Sequence, residues 1–233
     1  KLDGIPALRE LRSMIGLSEV KESVDALIHL AEENFVLEEA EKPLQQLNLN
    51  RLFLGNPGTG KTTVAKLYGA VLKQLGWLSS GEVEVVDPSA LRDCHVGGSE
   101  QKTMDLLTRC RGKVLVIDEA YGLMSDKHGD QVIDTLVARV QGKPGDDIAV
   151  IMCGYEDEMM EMMRKVNPGL ARRFRVDEPF RFEDYSSDQL REILILKACA
   201  DGLYLTKEAV TAAMQQLEKQ RIKPKFGNGG AVE

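Results

Sequence analysis

Aromatic side chains, cysteines and long apolar runs are all scarce in this sequence of 233 residues. Aromatic residues make up 5% of the chain, which disfavours an all-β sandwich. No apolar run approaches the roughly 20 residues that span a bilayer, so the sequence excludes a membrane protein.

The cysteines form no C-x-x-C pair, and no histidine cluster accompanies them; they are Cys94, Cys110, Cys153 and Cys199. This usage is typical of a reducing, intracellular compartment rather than of a disulfide scaffold or a zinc module. We expect the cytoplasm first, and the sequence leaves the nucleus or an organelle open.

The charge balance is acidic, with 30 Lys and Arg against 37 Asp and Glu, a net charge of −7 and an isoelectric point near 5.2. Because a protein that binds nucleic acid needs a positive field, this balance argues against a nucleic-acid partner, although it does not exclude a local basic patch. The apolar fraction of 43% is enough for a sizeable core. The chain begins at Lys1 rather than Met, and we expect it to be a piece of a longer protein.

Short apolar runs alternate with helical patterns over most of the chain. Continuously apolar strands are typical of a parallel sheet that is buried on both faces by helices, so we predict an α/β fold. The predicted strands are 51–54, 82–86, 114–117, 148–153 and 175–182, and the predicted helices between them are 62–75, 100–110, 131–140 and 156–165. The first 50 residues are predicted to be helical, with Ser18 as a helix cap and an interruption at Pro43.

No strand is predicted after Ser186, where the sequence Ser186-Ser-Asp-Gln189 resembles a capping box and Thr206 precedes a second helix. We therefore predict two domains, an α/β domain over residues 1–182 and a small all-helical domain over residues 183–233.

A complete phosphate-loop motif follows the first predicted strand. It matches G-x-x-x-x-G-K-[ST] and consists of Gly55, Asn56, Pro57, Gly58, Thr59, Gly60, Lys61 and Thr62. Glycines let the backbone curl around phosphate oxygens, and the helix N-terminus adds the positive end of its dipole. Lys61 is predicted to reach the β- and γ-phosphates of ATP, and the Thr62 hydroxyl to bind Mg²⁺. We also assign Thr63 to nucleotide binding.

Two acidic residues end the apolar strand Val114-Leu-Val-Ile117. Ligands of open α/β sheets bind at the carboxyl ends of the strands, so Asp118 is predicted to help hold Mg²⁺. Glu119 is predicted to polarise a water molecule towards the γ-phosphate. The alternative is a pair of solvated acids at a strand end.

These motifs and others in the same order resemble the AAA+ ATPases, and within them the group that includes CbbX (the red-type Rubisco activase), CfxQ and SpoVK. The matching segments are Ile15-Gly-Leu-Ser-Glu-Val-Lys21, residues 54–65, Ile117-Asp-Glu-Ala-Tyr121, Gly154-Tyr155, and Asn167-Pro-Gly-Leu170 with Arg173-Phe174. The resemblance implies that residues 1–182 form a nucleotide-binding P-loop NTPase domain, with a parallel sheet sandwiched by helices. It also implies that residues 183–233 form a lid, which is expected to be incomplete at its C-terminus.

The resemblance also implies roles for residues outside the phosphate loop. Ile15 and Gly16 match the segment that lies against adenine. Arg172 and Arg173 lie where these ATPases carry an arginine finger, which contacts the nucleotide of a neighbouring subunit, and we favour Arg173. The alternative is two cations that interact with a helix C-terminus.

Residues Cys94-His95-Val96-Gly97 lie where AAA+ motors carry a pore loop that grips polypeptide. The resemblance therefore implies that His95 and Val96 contact a protein client, with His95 in place of the usual aromatic residue. An ordinary polar loop between strand and helix remains the alternative.

The sequence departs from the AAA+ pattern at two sensor positions. The strand end Met152-Cys153-Gly154-Tyr155 lacks the usual polar residue, although the Tyr155 hydroxyl could take part. In Phe226-Gly-Asn-Gly-Gly230, glycine occupies the position where an arginine is expected.

The resemblance implies Mg²⁺-dependent ATP hydrolysis by Lys61, Glu119 and an arginine finger, in a ring that is expected to be a hexamer and to remodel a client protein in a chaperone-like way. One alternative is a nucleotide-binding switch or scaffold module with weak or no hydrolysis, as one AAA+ unit of a longer multi-domain protein. A role like that of a clamp loader or helicase on nucleic acid is the second alternative, and the acidic isoelectric point opposes it.

Overall fold

The computed structural model describes residues 4–95, 97–221 and 225–232. Over these residues five strands form one parallel sheet in the order β2-β3-β4-β1-β5. The strands are β1 (Arg51–Gly55), β2 (Val83–Val86), β3 (Val114–Ile117), β4 (Ala149–Gly154) and β5 (Phe180–Phe182). The predicted parallel α/β sheet is confirmed.

Helices cover both faces of the sheet, which explains why the inner strands are apolar throughout. Every residue of β3 and β4 is buried. Alternate residues of β1 enter different cores, with Phe53 in one and Leu52 and Leu54 in the other, as the two-residue period of a strand requires. The helices around the sheet are α1 (Pro6–Ser13), α2 (Ser18–Glu39), α3 (Lys61–Gln74), α4 (Pro88–Leu91), α5 (Gly98–Arg109), α6 (Lys127–Arg139), α7 (Glu156–Lys165) and α8 (Pro168–Phe174), with a 3₁₀ turn at Ala120–Ser125.

Two local predictions were wrong. Ser18 does not cap α2, because Leu17 holds the cap position in a left-handed conformation with φ of 59° and Ser18 is already helical. The last strand is shorter than predicted, since Arg175 has φ of 43° and its carbonyl accepts a turn hydrogen bond from the amide of Glu178. The chain therefore turns before it enters β5.

The lid packs around a small apolar core of its own. It consists of α9 (Ser187–Ala200), α10 (Lys207–Arg221) and a 3₁₀ turn at Asn228–Val232. The predicted capping box is present, with Ser186 and Gln189 each bonding the other's backbone amide. The buried lid residues are Tyr185, Leu190, Met214, Leu217 and Phe226. In the part of the chain that the structure describes, no helix is both long and apolar enough to cross a membrane.

Candidate nucleotide site

The phosphate loop joins β1 to α3 and depends on glycine for its shape. Gly58 has φ of 69° and Gly60 has φ of 98°, a backbone region that other residues rarely adopt. A Cβ atom on Gly58 would lie 1.9 Å from the carbonyl oxygen of Gly227, in the lid. Only glycine therefore lets the loop curl and contact the lid at the same point.

Lys61 begins α3, and its ammonium group lies inside the loop. Its Nζ donates to the carbonyl oxygens of Gly55 at 2.8 Å and Asn56 at 2.7 Å. Burial lowers the pKa of Lys61, while the nearby carboxylates of Asp118, Asp184 and Glu119 oppose this shift. A phosphate group at this point would stabilise the charge that burial disfavours.

Asp118 and Glu119 follow β3 directly, at the carboxyl edge of the sheet. The amide of Asp118 continues the ladder to β2 by donating to Val86 at 2.8 Å, and Asp118 Oδ1 accepts from the amide of Glu119 at 3.0 Å. Glu119 has φ of 48°, a left-handed conformation that costs energy in a residue with a side chain. Such strain is typical of functional sites.

One cavity of about 550 Å³ brings most of the predicted nucleotide-binding residues together. The phosphate-binding side is formed by Pro57, Gly58, Gly60, Lys61, Thr62 and Thr63, and Asp118 and Glu119 line the same space. Apolar and aromatic side chains from both domains also line it, and they are Met14, Ile15, Tyr185, Ile193 and Leu196. The cavity thus combines a polar end with apolar surface suited to a purine base.

Three of the residues predicted to bind nucleotide, Gly16, Asn56 and Thr59, do not line this cavity. Gly16 has φ of 66° and packs close to Tyr185 and Gln189 of the lid. Thr59 is buried and donates to the carbonyl oxygen of Asn56 at 2.7 Å. Asn56 in turn donates to the Asp184 carboxylate at 2.9 Å. Their contacts are with the protein and shape the loop.

Arg172 and Arg173 lie outside this cavity, at the C-terminal end of α8. Arg173 Nε donates to the carbonyl oxygen of Val140 at 3.2 Å, and the Arg173 carbonyl accepts from Asn48 at 2.8 Å. Arg172 is exposed. The structure therefore does not bring either arginine to the chain's own cavity.

His95 lies in the loop between α4 and α5, and its side chain is 85% exposed. Its Nδ1 atom is 2.7 Å from Oδ1 of Asp93, which also accepts from the His95 amide at 2.9 Å. Val96, the other predicted pore-loop residue, lies outside the described residues. The loop presents a histidine to solvent and fixes it through one carboxylate.

At the strand end Met152–Tyr155, Gly154 and Tyr155 line the cavity whereas Cys153 is buried. Burial, with a smaller effect of the nearby Asp118 carboxylate, raises the pKa of the Cys153 thiol, so it stays neutral. A neutral thiol is a poor polar contact for phosphate.

Sequence reasoning missed the polar contacts between the lid and the phosphate loop. The Tyr185 hydroxyl donates to the Thr59 carbonyl at 3.1 Å, and burial raises its pKa, which keeps the proton on this donor. Asn228 is fully buried and donates to Asp184 at 2.8 Å, while its Oδ1 accepts from the Tyr185 amide at 3.0 Å. No sequence motif marks these long-range pairs.

Lys197 is another cavity residue that sequence reasoning missed. It lines the cavity from α9, and its Nζ donates to the carbonyl oxygen of Gly229 at 2.9 Å. A signal was available, because Leu190, Ile193 and Lys197 follow helical spacing and so share one face of α9.

Two family models match the chain. The model of the ATPase family associated with various cellular activities (AAA) matches residues 51–183, and the model of the AAA lid domain matches residues 186–233. The fold agrees with this result: the AAA domain of FIGL-1 superposes with a TM-score of 0.61 at 16% identity, covering 95% of this chain and 68% of that one.

Curated relatives match over nearly the whole chain. Protein CbbX of Cereibacter sphaeroides is 34% identical over 234 residues, covering 97% of this chain and 73% of the relative. Stage V sporulation protein K of Bacillus subtilis is 35% identical over 230 residues, covering 96% and 70%. The predicted resemblance is thereby confirmed, and the chain is an ATPase that belongs to the AAA family.

Proposed function

We propose that this chain binds ATP together with Mg²⁺ in the cavity between the phosphate loop and the lid, and hydrolyses it as one subunit of a ring. The observation that carries the proposal is the arrangement of four side chains around one cavity. Lys61 and Thr62 line it from the start of α3, and Asp118 and Glu119 line it from the end of β3; these four residues belong to motifs more than 50 positions apart.

The donor atoms fit a magnesium ion. Thr62 offers a hydroxyl oxygen and Asp118 a carboxylate oxygen, and hard oxygen ligands with retained water are what Mg²⁺ prefers beside nucleotide phosphates. When bound, the ion supplies positive charge to the phosphate oxygens. Thr62 and Asp118 are the residues that would hold it.

The remaining roles follow from position and charge. The phosphate loop and the Lys61 ammonium, at the N-terminus of α3, hold the triphosphate by hydrogen bonds and by the helix dipole. Ile15 contributes to the apolar surface for the base. Glu119 lines the cavity, and its carboxylate orients the attacking water and accepts its proton as the water oxygen bonds to the γ-phosphorus and ADP leaves.

The ring is part of the proposal because the arginines lie away from their own nucleotide cavity. Arg173, or with less support Arg172, would reach the cavity of the next subunit and offset the charge of the transition state. Head-to-tail contacts of this kind close into rings, and we propose a hexamer. The exposed His95, with Val96, would then contact a protein client at the centre.

Phosphate release by wild type and by Glu119→Gln tests the hydrolytic assignment. We expect Glu119→Gln to slow release by about 10²–10⁴-fold, since a general base is lost, and to keep ATP affinity. Glu38→Gln, an exposed change on α2, is the matched control. Equal release by wild type and Glu119→Gln would remove Glu119 from the mechanism, and release near the background rate by both would favour a nucleotide-dependent switch or scaffold.

Native mass measurement of Glu119→Gln with and without Mg²⁺ and ATP tests the ring. We expect a hexamer that depends on nucleotide, because blocked hydrolysis keeps ATP in every cavity. A monomer at all nucleotide concentrations would contradict the ring as a property of this chain.

A further inference from the structure

Lys197 is a cation of the nucleotide cavity that no motif explains. Of the described residues that line the cavity, Lys61 and Lys197 are the two cations, and they lie on opposite domains. Lys61 belongs to the phosphate loop, whereas Lys197 lies on α9, in the lid. The Lys197 side chain is half-buried at the cavity wall.

The position of Lys197 places it near the phosphate end of the cavity. Its Nζ donates to the Gly229 carbonyl at 2.9 Å, and the Gly229 amide donates to the Gly58 carbonyl of the phosphate loop at 3.0 Å. Two successive hydrogen bonds therefore join the ammonium to the loop that surrounds the phosphates. The apolar side chains Ile193 and Leu196, on the same helix, provide surface for the base instead.

Side-chain hydrogen bonds anchor the residue before Gly229. This residue, Asn228, is fully buried and bonds both the Asp184 carboxylate and the Tyr185 amide. The hydrogen bond to Gly229 positions the Lys197 ammonium at the cavity wall, and a group that is ordered before binding loses less entropy when a ligand arrives.

The charge around the phosphates creates a need for such a cation. Asp118 and Glu119 place two carboxylates in the cavity beside the triphosphate. On the basis of the nucleotide site proposed above, we propose that Lys197 binds the phosphate groups of ATP from the lid. Lid closure would then depend on the number of phosphates in the nucleotide. Lys197 would then distinguish ATP from AMP.

Calorimetric titration of the whole chain with ATP, ADP and AMP in the presence of Mg²⁺ tests this role. We expect Lys197→Met to weaken ATP binding by about ten-fold or more, the value of a hydrogen bond to a charged group, and to change AMP binding by less than about three-fold. Lys219→Met, an exposed lysine on α10, is the matched control and should bind all three nucleotides as wild type does.

Two further variants separate phosphate binding from support of the lid fold. Lys197→Gln keeps a donor for the Gly229 carbonyl but removes the charge, so it should show the same selective loss of ATP affinity. Gly230→Arg returns a cation to the cavity wall in the Lys197→Met background, and a Cβ atom on Gly230 meets nothing closer than Gly58 Cα at 4.0 Å. We expect it to recover most of the lost ATP affinity.

Equal weakening of ATP and AMP by Lys197→Met, or wild-type affinities in Lys197→Gln, would overturn the inference and leave Lys197 a structural residue of the lid. The outcomes also separate the two proposals. If wild type bound ATP and Lys197→Met bound it equally well, only this inference would fail. If wild type bound no ATP, the proposed function would fail and this inference with it.

Discussion

At the scale of single residues, the nucleotide site contains one residue whose burial and one residue whose backbone conformation cost free energy of folding. Lys61 is charged inside the protein, and Glu119 is held at a left-handed φ of 48°. Each costs the fold some stability, and each is supported by neighbours that over-determine its position, as in other functional sites. The cost of Lys61 can be measured, because it depends on pH.

Lys61 should make stability rise with pH. Burial lowers the folded-state pKa below the usual value of 10.5, so between the two pKa values the unfolded chain binds more protons than the folded chain. The free energy of unfolding of wild type, relative to Lys61→Met, is therefore expected to increase as pH rises from 7 towards 10.5, by at most about 1.4 kcal/mol per pH unit.

Urea unfolding of wild type and of Lys61→Met at several pH values measures the difference between their free energies of unfolding. Titratable groups that the two proteins share contribute equally to both and drop out of this difference. A relative stability of wild type that fell over the same range would show that Lys61 is stabilised as a cation in the folded chain. The nucleotide must be left out, because its phosphates would change the electrostatic environment.

At the scale of elements, a close backbone contact joins the phosphate loop to the lid segment that leads into the turn Asn228–Val232. Gly58 approaches the Gly227 carbonyl so closely that no side chain fits between them. The Gly229 amide then bonds the Gly58 carbonyl. The lid position is thus linked to the backbone that surrounds the phosphates, through main-chain atoms.

Gly58→Ala should release the lid turn from the phosphate loop. The added methyl group would overlap the Gly227 carbonyl, which lies 1.9 Å from the Cβ position, in addition to the strain of a φ of 69°. We expect a loss of about 2–4 kcal/mol in the free energy of unfolding, together with faster proteolysis of the lid.

Gly76→Ala is the control for this prediction. Gly76 has a similar φ of 75°, and a Cβ atom there meets nothing within 4 Å, so this variant carries the backbone strain without the clash. It should lose only about 1 kcal/mol and keep the lid protected. Equal losses in the two variants would mean that the close contact with Gly227 contributes little.

At the scale of the whole molecule, the separation of Arg173 from its own cavity decides how activity depends on assembly. Arg173 is held at the C-terminal end of α8 by its hydrogen bond to the Val140 carbonyl, while Lys61 lies at the nucleotide cavity. If Arg173 serves the next subunit, a complete active site needs two chains. Activity should then rise with protein concentration.

Mixing two inactive variants tests this dependence. Lys61→Ala should lose ATP binding, and Arg173→Ala should bind ATP but hydrolyse it at least about 10³-fold more slowly. In a mixture, roughly a quarter of the subunit contacts would pair an intact Lys61 with an intact Arg173, and hydrolysis should recover accordingly in a steady-state phosphate assay.

Arg172→Ala is the matched variant for the same assay, and we expect it to retain most activity alone. Retained activity in Arg173→Ala, with loss in Arg172→Ala, would move the finger to Arg172. No recovery in the mixture, with both parents inactive and assembled, would contradict action between subunits.

The local sequence determined the strands, the phosphate loop and the acidic strand end. The apolar residues of β3 and β4 can only be buried, and the glycine spacing before Lys61 suits only a tight loop, so neighbours in sequence were enough to predict them. The short strand β5 was harder, because three residues carry little periodicity and the preceding left-handed turn at Arg175 has no glycine to mark it.

Only the tertiary structure decided which distant groups meet. Asn228 contacts Asp184, and the lid glycines contact Gly58 more than 150 positions away, through packing that no local pattern encodes. Lys197 belongs to the same class, because helical spacing shows which face of α9 it shares but not that this face meets the nucleotide cavity. Burial and backbone contact depend on the whole fold, whereas the phosphate loop depends on eight consecutive residues.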